Sequence, residues 1–119
     1  MIHSICTDET IMVSFKDKLG VAELSCLTSY GVNIKGLDKP VYYFNRLKIP
    51  PRDEGKGFGK RLMIEVCRIA DEKGITILNE LNPYGKRDLK QLIKFFEKSG
   101  FEIFDEHNTM VRRPRKETA

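Results

Sequence analysis

The stretch that decides the fold is GKGFGK at residues 55–60, which is followed directly by RLMIEVCRIADEKG at 61–74. Three glycines and two lysines within six positions cannot pack a core and form a poor helix or strand. The residues behind them nevertheless have helical periodicity. Their apolar face is formed by Leu62, Met63, Val66, Ile69 and Ala70. The sequence therefore predicts a flexible, positively charged glycine loop that opens a helix, with Gly74 at the end of that helix.

The segment before the glycine loop predicts a strand. VYYFNRLKI at 41–49 is rich in β-branched and aromatic residues, and Pro50 and Pro51 end it because neither can donate to a sheet ladder. The first N–H groups of a helix have no intrahelical partner, and the helix dipole adds partial positive charge there. Glycines let the backbone approach an anion closely. With Lys56 and Lys60 at its rim, the loop predicts an anion-binding site suited to phosphate.

Two common nucleotide-binding motifs do not fit this spacing. A P-loop requires Gly-Lys-Ser/Thr, but Lys60 is followed by Arg61, so no hydroxyl is available for magnesium. A dinucleotide-binding motif that began at Gly57 would require a third glycine at the position of Leu62. The glycine loop therefore belongs to another class of anion site.

The remaining periodicity predicts several strands, then helix, strand, helix and hairpin. Strands are expected at 2–6, 11–16, 21–27 and 75–81. A second helix, LKQLIKFFEKSG, follows Asp88 as N-cap, and Gly100 stops it. Its core face is formed by Leu89, Leu92, Ile93 and Phe96. FEIFDEHNTMVRR then predicts two strands around a turn near 106–108. This order predicts a mixed α/β sheet and not an alternating doubly wound one.

Composition indicates a single soluble domain. The chain has 119 residues, 40% hydrophobic and 32% charged, and no apolar run approaches the roughly 18 residues that would span a bilayer. The three cysteines have no short paired spacing, which argues against a disulfide framework or a metal site and favours a cytoplasmic location. Net charge is +4, with the clearest basic cluster, RRPRK, at 112–116. We expect one domain at 1–112 and a basic, flexible tail at 113–119.

Two segments carry a resemblance to a known family. IPPRDEGKGFGKRLM at 49–63 resembles motif A of the GNAT family of N-acetyltransferases, in which a strand leads to an Arg/Gln-x-x-Gly-x-Gly/Ala loop and a helix. LIKFFEKSGFEI at 92–103 looks like the second signature of that family. The match spans about 41–104. It implies the acyl-CoA N-acyltransferase (GNAT) fold, an α/β (α+β) class with a mixed central sheet that splays between two parallel strands and is flanked by helices.

The resemblance also implies a cosubstrate site. Acetyl-CoA would lie where strands 41–49 and 75–81 splay apart, with its pantetheine arm against the backbone of Leu47 and Ile49. Its pyrophosphate would receive backbone N–H groups from the glycine loop. These residues are Gly55, Lys56, Gly57, Phe58, Gly59 and Lys60. No metal is implied.

The chain departs from the family pattern at two positions. Aligned through the helix, Gly57 and Gly59 take the two glycine positions, which places Glu54 where the family has Arg or Gln; an alternative register begins at Arg52. Phe96 stands where many members have a tyrosine that protonates the departing thiolate. Phe96 is expected to be a core residue, so the proton would come from water or from Tyr84.

The predicted reaction is direct attack of an amine on acetyl-CoA without a covalent enzyme intermediate. The strand at 41–49 has no carboxylate, so Glu80 is the best candidate for the general base, although a glutamate there is also typical of a solvated strand end. Tyr43 and Asn45 could orient a water, and His107 is expected to be exposed in the hairpin turn. Cys67 is expected to be a packing residue.

Three functional classes follow, in order of preference. The first is an N-acetyltransferase whose acceptor amine belongs to a protein or a small molecule. The alternative is a GNAT-fold module that binds coenzyme A or another protein and has weak or no turnover. The third is a nucleic-acid binder, which the mild charge disfavours. A homodimer is common in the family, and no membrane partner is expected.

Overall fold

The computed structural model of the protein describes residues 2–15, 20–38, 40–53, 55–81 and 88–115. Within these residues the chain forms a seven-stranded sheet in the order β1-β2-β3-β4-β5-β7-β6. The strands are β1 Ile2–Cys6, β2 Thr10–Phe15, β3 Val21–Cys26, β4 Val41–Lys48, β5 Thr76–Glu80, β6 Glu102–Ile103 and β7 Thr109–Arg112. The predicted strands are confirmed, with most ends within one residue of the expected positions.

The sheet is antiparallel except where β4 and β5 meet. These two strands are parallel and pair at only three positions, Val41–Thr76, Tyr42–Ile77 and Tyr43–Leu78. Beyond Tyr43, β4 stays beside β3 up to Lys48, whereas the end of β5 pairs with β7. The two parallel strands therefore separate after their third pair, and we call the resulting gap the fork. The predicted splay of the sheet is confirmed.

A bulge in β4 lies next to the closed end of the fork. Glu23 pairs with Arg46 and Leu24 pairs with Phe44, so Asn45 is the extra residue. The Nδ2 of Asn45 donates to Ser25 Oγ at 2.5 Å. A bulge bends its strand and increases the local twist. The bulge lies two residues beyond the last pair of β4 with β5, where the two strands separate.

The two helices begin in different ways. Helix α1, Phe58–Lys73, follows Gly57, which has a φ of 83° and provides no side-chain cap. Helix α2, Leu89–Glu97, follows Asp88 and has a complete capping box with Gln91. The predicted N-cap at Asp88 is confirmed. So is the predicted end of α1, because Gly74 adopts a left-handed conformation at its C-cap.

Both helices pack on one face of the sheet. A single core cluster combines the buried face of α1, Phe96 of α2 and one face of β2 to β5. The buried α1 residues are Leu62, Met63, Val66, Ile69 and Ala70, as predicted. The opposite face has a smaller cluster around Val41, Leu78 and Val111, against which partly buried side chains from the 27–37 segment pack. A groove is thus left between α1 and α2 on the helix face.

A buried arginine joins the ends of the two helices. Arg112 of β7 is 2% exposed and donates to both carboxylate oxygens of Asp71, near the end of α1, at 2.8 and 3.1 Å. Its Nε donates to the carbonyl of Ser99, just after α2, at 2.7 Å. These hydrogen bonds hold the pKa of the Asp71 carboxyl below its usual range. In the sequence Arg112 is the first residue of the basic cluster RRPRK at 112–116, which gives no sign of its burial.

The described residues contain neither a membrane-spanning helix nor a metal-binding group. Neither helix combines the length and apolarity that crossing a membrane requires. No group of three or more His, Cys, Asp or Glu side chains in these ranges is arranged to hold a metal ion.

Candidate functional site

Among the described residues, the fork leaves one edge of β4 without a strand partner. Beyond Tyr43, β4 and β5 no longer pair, although β4 continues for five more residues. Backbone N–H and C=O groups along such an edge require hydrogen-bond partners from water or from a ligand. Leu47 lies on this stretch and Ile49 follows it. From Phe44 to Ile49 the edge is about 16 Å long at the usual rise of a strand, so it suits an extended ligand that carries amide groups.

The glycine loop lies at the open end of this edge. Gly55 and Gly57 have φ angles of 80° and 83°, a region that other residues rarely adopt. A Cβ at either position would meet nothing within 4 Å, so backbone conformation and not crowding requires glycine. At Gly59 a Cβ would lie 3.7 Å from Leu47 Cδ2 and 3.9 Å from Ile49 Cγ1. The start of α1 is therefore adjacent to the end of β4.

Most of the predicted site residues line one groove, which has a volume of about 1620 Å³. They are Leu47, Ile49, Gly55, Gly57, Phe58, Gly59, Lys60 and Glu80. Lys56 is absent from this lining, and its ammonium instead lies 3.7 Å from the carboxylate of Asp53. Glu54 and Tyr84 fall outside the described residues.

Asp53 is a site residue that sequence analysis missed. It is 7% exposed, lines the groove and has ion pairs with Arg52 at 3.8 Å and with Lys56 at 3.7 Å. Its backbone N–H donates to the carbonyl of Pro50 at 2.8 Å. Asp53 thus anchors the turn between β4 and the glycine loop, and it offsets part of the positive charge there. The only sequence signal was its place after a proline in a turn.

The side chain of Phe58 has a packing role. Its ring contacts Phe15 edge to face, with centroids 5.3 Å apart. The guanidinium of Arg61 lies 5.1 Å from the centre of the Phe15 ring. With its ring packed against the sheet, Phe58 would meet a ligand in the groove through its backbone.

Phe96 is a core residue, as predicted. It is 6% exposed and packs edge to face against Phe44 and Phe101, with centroids 5.9 and 5.4 Å apart. A phenyl ring has no proton to transfer. Any proton donor for a departing group must therefore be another residue or water.

Glu80 and Tyr43 lie on the sheet face opposite the helices. Tyr43 packs with the smaller core cluster, and Glu80, two residues after Leu78 of that cluster, shares its face by strand alternation. Glu80 is exposed at the end of β5. Burial, and then the charge of Glu80, raise the pKa of Tyr43. Both residues also line the groove, so the groove extends through the fork to this face of the sheet.

His107 is exposed in the turn between β6 and β7, as predicted. Its backbone N–H donates to Asp105 Oδ1 at 2.9 Å. It is not among the residues that line the groove.

Asn79 is a second residue that sequence analysis missed. It lies on β5 directly after the last pair with β4, is 5% exposed and lines the groove. Its Nδ2 is buried and has no hydrogen-bond partner within the described ranges. The signal in the sequence was a single asparagine inside the apolar run ITILNEL at 75–81.

Comparison with known proteins finds similarity in structure only. No protein-family model matches the sequence, and no curated protein matches it. Among solved structures, GCN5 from Tetrahymena is 13% identical with a TM-score of 0.62, over 94% of this chain and 72% of that one. The aminoglycoside acetyltransferase AAC(6')-Iy, in complex with a CoA-containing bisubstrate analogue, is 21% identical with a TM-score of 0.58, over 84% of this chain and 67% of that one.

A shorter protein also matches over most of its length. The anti-CRISPR protein AcrVA5 is 16% identical with a TM-score of 0.57, over 92% of this chain and 96% of that one. A further matched structure, KacTA, is a complex with DNA. These identities establish the architecture and not the activity. The chain therefore has the fold of the GNAT acetyltransferases, as the two sequence motifs indicated.

Proposed function

We propose that the protein is an N-acetyltransferase that uses acetyl-CoA. The observation that carries the proposal is the fork of the sheet beside a helix N-terminus that no described side chain caps. These two features lie side by side, because the space beside Gly59 is bounded by Leu47 and Ile49. The CoA-containing complex of AAC(6')-Iy supports the same ligand class.

Each part of the cosubstrate has a matching part of the site. The pyrophosphate is bound by backbone N–H groups of the glycine loop, Gly55 to Lys60, and the dipole of α1 adds to the attraction. The amides of the pantetheine arm pair with the free edge of β4 around Leu47 and Ile49. Lys60 is exposed at the rim of the groove and adds positive charge. The thioester then lies near the closed end of the fork.

The reaction proceeds by direct attack. The neutral amine attacks the thioester carbonyl, the C–S bond breaks, and the sulfur leaves with the electron pair. Glu80 accepts the proton that the amine loses, directly or through a water. Tyr84 or water returns a proton to the sulfur. No nucleophilic role is assigned to Cys67, because burial raises the pKa of its thiol and so disfavours the thiolate.

A second candidate is a module that binds CoA and does not turn it over. Phe96 favours this candidate, because its ring is buried in the core and carries no hydroxyl that could protonate a leaving group. Such a module would need no acceptor, whereas the acetyltransferase would acetylate an amine of a protein or of a small molecule. We do not propose a nucleic-acid partner.

Free cysteines at 6, 26 and 67 support the proposal of a cytoplasmic, reducing environment.

The proposed organisation remains a single domain at 1–112 with a basic tail from 113. The first residues of that tail contact the domain, since the backbone N–H of Arg115 donates to Asp71 at 2.8 Å and Arg113 pairs with Glu102 at 2.6 Å. A homodimer would be compatible with both candidate functions. Sedimentation of the full chain with and without acetyl-CoA tests it.

Two measurements test the function. Calorimetry with acetyl-CoA should show saturable 1:1 binding, and a free-thiol assay over a panel of amines and peptides should show release of CoA that depends on the amine. Binding without thiol release selects the second candidate. Absence of binding contradicts both. Glu80→Gln should lower the rate and alter the pH–rate profile, and an unchanged profile would reject Glu80 as the base.

A further inference from the structure

Asn79 contains a buried polar group that no described residue pairs with. The Nδ2 of its side-chain amide is buried and has no hydrogen-bond partner within the described residues. An unsatisfied buried donor is costly, and folded proteins contain few of them. Of its two neighbours in β5, Leu78 is apolar and buried, whereas Glu80 is exposed at the end of the strand. A buried donor at this position therefore calls for a partner that the described residues do not supply.

The position of Asn79 indicates where that partner lies. Ile77 and Leu81 belong to the core cluster on the helix face, so strand alternation places Asn79 on the same face. Asn79 is the first residue of β5 after its last pair with β4. It also lines the groove together with Phe44 and Phe96. Asn79 thus lies at the closed end of the fork, on the side that faces the helices.

A ligand that follows the free edge of β4 would end beside Asn79. The edge runs from Ile49, next to the start of α1, to Phe44 at the closed end. Under the proposed function the pyrophosphate lies at α1 and the pantetheine arm follows the edge. The sulfur, at the other end of that arm, then reaches the closed end of the fork. Nearby, Phe96 supplies only an aromatic ring with no hydroxyl.

We propose that the Nδ2–H of Asn79 donates a hydrogen bond to the sulfur of coenzyme A and stabilises it as a thiolate. This inference rests on the proposed function. In the reaction, the N–C bond forms, the C–S bond breaks and the electron pair moves to sulfur. Asn79 keeps its own protons: the proton that the amine loses passes to Glu80 or water, and Tyr84 or water returns one to the sulfur. Asn79 is therefore a donor directed at the charge that develops on the leaving group.

The thiol of bound coenzyme A gives a readout that does not require the acceptor. A donor to the thiolate favours the charged form, so it lowers the pKa of the bound thiol. The pKa is measured from thiolate absorbance of CoA bound to the full chain over a pH series, with the complex of desulfo-CoA, which lacks the sulfur, as blank. The blank removes the contributions of tyrosines and cysteines of the protein.

Asn79→Leu keeps the approximate shape of the side chain and removes the donor. We expect the pKa of the bound thiol to rise by about one unit relative to wild type, which corresponds to a tenfold loss of preference for the thiolate. Asn79→Ser, which retains a hydroxyl donor in a smaller side chain, should restore part of the shift. Affinity for desulfo-CoA should stay within about twofold in both variants, because that ligand has no sulfur to accept the bond.

The outcomes separate this inference from the proposed function. If wild type binds neither CoA nor desulfo-CoA, the proposed function fails and this inference fails with it. If wild type binds both and the bound thiol has the same pKa in wild type and in Asn79→Leu, the proposed function stands and the role of Asn79 is refuted. An equal loss of affinity for CoA and for desulfo-CoA in Asn79→Leu also refutes it, because that result indicates a purely structural residue.

Discussion

Both helices of this protein have backbone N–H groups without intrahelical partners at their N-termini, but only α2 has a side-chain cap for them. At α2, Asp88 Oδ1 accepts from the backbone of Gln91 at 2.9 Å, and the Gln91 side chain accepts from the backbone of Asp88 at 3.0 Å. At α1, the N-cap is Gly57, which has no side chain to offer. One terminus is closed by a carboxylate of the chain itself. The other has no side-chain cap, and we propose that an anion of the cosubstrate binds there.

The comparison matters because the two termini have different neighbours. The start of α1 abuts the open end of the fork through Gly59, Leu47 and Ile49. The start of α2 has an exposed N-cap and an exposed first turn at Lys90. An uncapped helix alone would be a weak argument for a ligand. The uncapped terminus beside a free strand edge is what supports a cosubstrate with both a pyrophosphate and amides.

The largest expected effect concerns the link that holds the two helices together. Arg112→Met should lower the free energy of unfolding by about 3 kcal/mol, because it leaves Asp71 and the Ser99 carbonyl without their buried partner. In thermal unfolding this corresponds to a loss of about 10 °C in Tm. Arg113→Met is the matched control, since its pair with Glu102 is exposed and should contribute less than about 1 kcal/mol. Equal losses would contradict the role of Arg112.

The second prediction compares the effect of an added carboxylate on acetyl-CoA affinity at the N-termini of α1 and α2. Gly59→Glu and Lys90→Glu each place a carboxylate at the second residue of a helix, α1 or α2. At α1 it should repel the pyrophosphate and weaken acetyl-CoA binding about 100-fold, which is about 2.7 kcal/mol. At α2 the affinity should change by less than about twofold, although the change in charge is larger.

Thermal stability is the control for these two variants. A Cβ at Gly59 makes only ordinary contacts of 3.7 Å or more, and a carboxylate in the first turn suits the helix dipole. Both variants should therefore keep the wild-type Tm. Equal affinities for acetyl-CoA in the two variants would show that α1 does not bind the pyrophosphate.

A smaller effect tests the closed terminus. Asp88→Ala removes the acceptor for the Gln91 N–H and should cost about 1 kcal/mol of stability. Asp88→Asn keeps a capping oxygen and should cost only a few tenths of a kcal/mol. Chemical denaturation measures both. A negligible cost of Asp88→Ala would mean that the capping box does not stabilise α2.

The smallest expected effect is a difference between wild type and Arg112→Met in how the free energy of unfolding falls at acid pH. The pKa of Asp71 is lowered in the folded protein, chiefly by its hydrogen bonds to Arg112. Its contribution is therefore fully present above the ordinary carboxyl pKa and is lost as the pH falls through the lowered value. The free energy of unfolding should decline more gently in Arg112→Met than in wild type over that acid range. Parallel curves would contradict the pairing.

The fold was predictable because its signals are local. Helical periodicity behind the glycines, the cap at Asp88 and the stop at Gly74 all concern residues within a few positions of one another, and all are confirmed. The separation of β4 from β5 was expected only through the resemblance to the acetyltransferases. No property of either strand alone specifies that pairing ends after Tyr43.

The parts of the site that sequence analysis missed depend on distant partners. Arg112 and Asp71 are 41 positions apart, so the basic cluster at 112–116 gave no indication that one of its arginines is buried. Asn79 resembles any polar residue in a strand until the end of the β4 pairing places it at the fork. Asp53 lies in a segment whose charges suggest a solvated turn, and only its burial shows its anchoring role.

The most direct test of the account is an amide NMR titration of the full chain with acetyl-CoA. Saturable shifts are expected for the backbone amides of the glycine loop and of β4 from Phe44 to Lys48. The amides of Lys90 and Gln91 at the start of α2 should stay unperturbed. Shifts that are confined to α2 or to the β6–β7 hairpin, or a spectrum that does not respond to acetyl-CoA, would contradict it.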